Sequence, residues 1–136
     1  MTESMNRPPS MLLCLDLESD SETLCRMALE YSRRCGQPLQ VLHVMQAAND
    51  EQQCRDRLLA LLASCGLSLP AKAIHIETGT PEERIPEVAA RCRVAPVILG
   101  RRQRSTVERI YVGSTTSAVI SLCRMPVLVI PLPSEG

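Results

Sequence analysis

A chain of 136 residues with 45% apolar content and a formal net charge of zero is large enough to bury one real core, and it projects no overall field toward nucleic acid or an anionic membrane. Aromatic residues make up 1%, with Tyr31 and Tyr111 as the whole set, so the core must be aliphatic and no platform exists for stacking bases. The seven cysteines are odd in number and never stand as CxxC, which argues against a disulfide framework or a zinc site.

The sequence predicts a single domain over 1–136, with its folded part at about 11–131. Met1 to Ser10 is polar and the apolar runs are strand-length, so neither a signal peptide nor a membrane span is expected, and a reducing cytoplasm is the expected home. Met11-Leu-Leu-Cys-Leu-Asp16 reads as the first strand. A helix follows from about Ser21 to Cys35, with Leu24, Met27, Ala28, Tyr31 and Cys35 at helical spacing and Gly36 to end it. Leu39 to Met45 is the second strand. The next helix starts near Asn49 as N-cap and is expected to bury Cys54, Leu58, Leu61, Leu62 and Cys65 before Gly66. The third strand is about Ala71 to Glu77. Thr80-Pro81-Glu82-Glu83 opens the third helix with a cap, a proline at the first position and Glu three residues after the cap. That helix is expected to bury Ile85, Val88, Ala89 and Cys92. The fourth strand is Ala95 to Leu99, the fourth helix about Ser114 to Arg124, and the fifth strand Val127 to Ile130.

Alternating strands and helices argue for an α/β fold: a doubly wound, five-stranded parallel sheet with helices on both faces, of order 3-2-1-4-5. In that order the winding reverses between strands one and four, and the ligand crevice lies outside their C-terminal ends. Asp16 closes one and Gly100 the other. A dinucleotide fold would carry GxGxxG after strand one, but that turn reads Leu17-Glu18-Ser19-Asp20, and no GK[ST] exists. The phosphate-seeking elements come after strand four instead: Gly100, then Arg101, Arg102, Gln103 and Arg104, then Gly113-Ser114-Thr115 at a helix start.

Each of these residues also has a plain reading. Asp16 can cap a turn, Val44 can be core, Ser114 and Thr115 can cap a helix, and the arginines can be solvated. His43 reads as a satisfied structural histidine. His75, alternating with Ile74 and Ile76, is expected to face outward on an edge strand. Cys14 reads as a buried strand cysteine rather than a redox-sensitive thiol.

Asp16, the pair His43-Val44, the turn Gly79-Thr80-Pro81, and Gly100 with Gly113-Ser114 resemble the universal stress proteins in order and spacing. Their motif after strand four is G-x2-G-x9-G-[S/T]. The closing Pro126-Val-Leu-Val-Ile-Pro resembles their last strand. The resemblance implies a stress-response domain that binds nucleotide, with ATP and Mg as ligand. Asp16, Val44, Gly100, Arg101, Gln103, Gly113, Ser114 and Thr115 would line the site, and Val44 would meet adenine through its backbone. It also implies a homodimer paired antiparallel through Val127 to Ile130, with a further protein partner and no catalytic residue.

Two positions depart from the family pattern: Gln103 replaces the middle glycine, and Pro96 stands where an Asp usually opens strand four. A side chain at 103 either crowds a triphosphate or donates a hydrogen bond in place of backbone contact. The alternative function is therefore the same fold acting without nucleotide, as a stress-induced interaction dimer. A weak ATPase stands third, since no recognisable base or set of metal ligands accompanies the loop.

Overall fold

The computed structural model describes residues 8–102 and 114–133. Its elements are β1 (Met11–Cys14), α1 (Ser21–Cys35), β2 (Leu39–Met45), α2 (Glu51–Ser64), β3 (Ile74–Thr78), α3 (Pro81–Cys92), β4 (Val97–Arg102), α4 (Ser114–Leu122) and β5 (Val127–Leu132). A short 3-10 turn, Ala71–Ala73, precedes β3. The five strands form one sheet of order β3-β2-β1-β4-β5, all neighbours parallel, as the sequence predicts.

Period-two alternation divides the strands between two cores. Leu13, Val41, Ile98 and Ile130 face α1 and α2, joined by Leu24, Ala28, Leu58 and Leu62. Leu12, Leu42, Val97 and Leu99 face the other layer, joined by Ile85, Val88 and Ala89 of α3 and Val119 of α4. Each β-branched or leucine position here is close to fully buried. Such burial is the main source of stability, at roughly 1.5–3 kcal/mol per large side chain.

Element boundaries shift from the sequence reading for local reasons. β1 stops at Cys14 rather than Asp16; Leu15 still donates to the Leu42 carbonyl, and the chain turns at Leu17, whose backbone is left-handed at φ 62°. The N-cap of α2 is Asp50 rather than Asn49: its carboxylate accepts from the Gln52 N–H. α3 has Pro81 at its start, yet the Thr80 side chain makes no cap bond. The Thr80 carbonyl instead takes the N–H groups of Glu83 and Arg84. Gly36 ends α1 in the left-handed conformation, its N–H on the Ser32 carbonyl, as expected.

Burial also differs in places. On α1, Ser21, Leu24, Cys25 and Ala28 form the inward stripe, while Tyr31 and Cys35 are exposed. Leu61 and Cys92, expected in the core, are partly buried. β5 runs on through Pro131 to Leu132, with Pro131 exposed on a strand that pairs on one side.

Candidate functional site

The switch point lies at the C-terminal edge of the sheet, where β1 and β4 run side by side and their following connections diverge to opposite faces. The loop after β1 is braced from three directions. Leu15 donates its N–H to the Leu42 carbonyl at 2.9 Å, and its own carbonyl accepts from His43 Nδ1 at 2.8 Å. A carbonyl only accepts, so the buried imidazole carries its proton on Nδ1 and is a structural residue. Arg57 reaches from α2 to donate to the Leu17 carbonyl at 2.8 Å.

These contacts hold Asp16 outward. Its Oδ1 accepts from the Glu18 N–H at 2.9 Å and from the Ser21 hydroxyl at 3.1 Å, which fixes an exposed carboxylate over the end of β1. Asp16 is thus a turn-forming residue with an exposed carboxylate at the C-terminal end of β1. Neighbouring Cys14 is less suited to chemistry. Burial pushes its thiol well above the ordinary range, and nearby Cys123 adds to the effect.

On β4, Gly100 faces the α1 side. A Cβ built there would come within 2.8 Å of Leu132 Cδ1 and 2.9 Å of Leu24 Cδ2. The glycine therefore accommodates the protein's own leucines. Arg101, partly buried, lies opposite Pro131 in the β4–β5 register. Val44 is partly buried near the end of β2, opposite Glu77 on β3, and packs against the α3 layer. Gln103 and Gly113 lie outside the described residues.

Ser114 is exposed at the start of α4, and Thr115 follows it. The Thr115 hydroxyl donates to Glu82 Oε1 at 2.7 Å, joining the first turns of α3 and α4. Sequence reading missed this contact, because Glu82 serves there only as part of a helix start. Its position three residues before the buried Ile85, on a helix packed beside α4, is what brings it to Thr115.

His75 does not face outward as expected, although β3 is an edge strand. Its Nε2 lies 2.7 Å from Gln40 Oε1 on β2 and 3.7 Å from Cys92 Sγ. Burial, aided by the Arg91 guanidinium and opposed by Glu77, lowers its pKa from the ordinary 6.5. Among the described residues no group of three or more His, Cys, Asp or Glu side chains could hold a metal ion. No helix among them is long and apolar enough to cross a membrane.

The fold is a doubly wound α/β domain whose winding reverses at the switch point between β1 and β4. The Universal stress protein family model matches residues 9–131, and the chain belongs to that family. A 63-residue stretch is 36% identical to universal stress protein E of Salmonella typhi, covering 46% of this chain and 20% of that protein. The chain thus spans about a fifth of the length of the curated relatives it matches.

Solved structures agree on the fold. A universal stress protein from Pseudomonas aeruginosa superposes with a TM-score of 0.73 at 19% identity, covering 93% of this chain and 48% of that one. One from Archaeoglobus fulgidus in complex with dAMP gives 0.65 at 20% identity over 92% and 98% of the two chains. A universal stress protein in complex with cAMP gives 0.70 at 12% identity over 93% and 99%.

Proposed function

We propose that this domain is a nucleotide-binding regulatory module of the stress response, taking an adenine nucleotide across the ends of β1 and β4. The observation that carries the reading is the braced loop after β1, which holds the Asp16 carboxylate outward where a ribose hydroxyl can donate to it. Nucleotides in complexes of the same fold, dAMP and cAMP, support it. Val44 would meet the base through its backbone. Ser114 and Thr115, with Gly113 and Gln103 before them, would approach the phosphate, and Arg101 would add charge to its side of the crevice. ATP with Mg is the ligand that the family resemblance implies. The exposed Asp16 carboxylate supports the adenosine side, and the phosphate side carries the Glu82 carboxylate at Thr115. The working form is a cytoplasmic homodimer paired through β5, which presents its surface to a protein partner according to nucleotide state.

A second reading, a nucleotide-free interaction dimer, is favoured by one feature: the space above Gly100 is taken by Leu132 and Leu24. Thermal unfolding with and without ATP, ADP, AMP, cAMP and GTP separates the two. A ligand that binds only the native state at about 100 times its dissociation constant adds roughly 2.7 kcal/mol. An adenine-selective rise in midpoint supports nucleotide binding, and no rise with any of them supports the second reading.

A further inference from the structure

We propose that Cys25 and Cys65 form a redox latch, a dithiol that hydrogen peroxide closes into a disulfide joining α1 to α2. No bound nucleotide is required. The end of α2 lies against the first two turns of α1: Arg26 donates to the Ser64 carbonyl at 2.8 Å, and the Cys65 thiol donates to the Glu22 carbonyl at 3.8 Å. A helical side chain leans over the turn that precedes it, so Cys25 covers that same Glu22 turn from its own helix. The Cys25 thiol accordingly hydrogen-bonds to Cys65. Both sit in one core with Leu58 and Leu62, at 0% and 7% exposure. Thiols held in contact by two packed helices can bridge with little backbone movement.

Cys65 is the less buried of the two and caps the end of α2, so it meets the oxidant first. Its thiolate attacks a peroxide oxygen and the O–O bond breaks, leaving a sulfenic acid and a hydroxide that takes up a proton as water. The Cys25 sulfur then attacks the Cys65 sulfur. The S–O bond breaks, and the hydroxyl leaves as a second water with the Cys25 proton. Two electrons pass from the thiol pair to one peroxide. Burial pushes the Cys25 thiol up to about 12, which slows closure. The same property makes Cys25 a poor leaving group when a reductant attacks the bridge at Cys65. The latch therefore records sustained oxidation, and the exposed Cys35 reacts before it.

The test is non-reducing peptide mapping of the full chain after prolonged hydrogen peroxide, with remaining thiols blocked by N-ethylmaleimide. Cys25→Ala and Cys65→Ala are treated alongside. Expected is a linked Cys25–Cys65 peptide, lighter than its reduced parts by two hydrogens, cleaved by dithiothreitol and formed after Cys35 has reacted. The bridge closes a loop of about 40 residues, so the oxidised wild type should unfold at higher urea than the same sample after reduction. Neither alanine variant should show that rise. The mapping needs only the wild type, so it decides the matter even where a variant fails to fold. Oxidised Cys35 with Cys25 still labelled, or Cys65 linked to another cysteine, overturns the latch. A linked protein whose urea midpoint does not exceed that of its reduced form overturns it as well.

Discussion

Leu132 closes over Gly100: a Cβ added to the glycine would stand 2.8 Å from the leucine's Cδ1, with Leu24 Cδ2 at 2.9 Å on the other side. Both leucines are almost fully buried, so their methyl groups have neighbours of their own and cannot simply swing away. Gly100→Ala is therefore expected to lower stability by about 1–3 kcal/mol, as overpacking does. In a Leu132→Ala background the same change should cost less, because the cavity accepts the new methyl. Chemical denaturation of the four proteins in this cycle measures the coupling. Additive effects would show that Gly100 is not kept small by Leu132.

Asp16 can be separated into its two roles by choice of substitution. Asp16→Ala removes the acceptor for the Glu18 N–H and the Ser21 hydroxyl and should cost about 1 kcal/mol. Asp16→Asn keeps an acceptor oxygen in the same place and should leave the unfolding midpoint almost unchanged. Adenosine affinity should nevertheless fall in both, because the charged acceptor for the ribose is gone. If Asp16→Asn binds adenosine like the wild type, the residue serves the turn alone.

The lowered pKa of His75 has a definite sign in stability. Its imidazole is desolvated beside Gln40 and Cys92 and faces the Arg91 guanidinium, so the native state resists the proton that the unfolded chain accepts near 6.5. The unfolded chain then binds more protons as pH drops below that value, and stability falls with it. The contribution is complete above about pH 6.5 and is lost as pH falls toward the native pKa. His75→Gln should flatten the stability-against-pH curve below about pH 6.5 relative to wild type. Urea unfolding at several pH values compares the two slopes, and parallel curves would remove His75 as the cause.

The fold was legible because the aliphatic runs and helical stripes agree at every level, from strand spacing to the order of the sheet. Errors collected where one residue's backbone overrode the pattern. Leu15 and Asp16 read as the end of the first strand, yet β1 stops at Cys14 and Asp16 joins the turn, where it accepts from the Glu18 N–H and the Ser21 hydroxyl. Asn49 and Asp50 are equally good caps by composition, and only the bond to the Gln52 N–H chooses between them. The outward reading of His75 failed because alternation cannot see Gln40 on the next strand or Cys92 at the end of α3. At the site, sequence spacing brought Asp16, Gly100 and Thr115 to one edge. It missed Glu82, whose contact with Thr115 joins residues 33 positions apart.

The two edges of the sheet differ in their readiness to pair with a second copy. β3 is short, polar at His75, Glu77 and Thr78, and preceded by the 3-10 turn. β5 is aliphatic over Val127 to Ile130, with partial exposure at Val127, Leu128 and Val129. The helix leading into it leaves Ile120 and Leu122 exposed at 48% and 58%. An apolar edge of this kind is an association hazard unless something covers it, and a second β5 across a two-fold axis would do so. Val129→Lys places a charge on that edge without touching Ile130 or Leu132, which anchor the strand in the core. The wild type is expected to sediment as a dimer, and Val129→Lys as a folded monomer with an unchanged far-ultraviolet dichroism spectrum. A Val129→Lys dimer of wild-type strength would place the dimer contact elsewhere, and a wild-type monomer would remove pairing through β5 altogether.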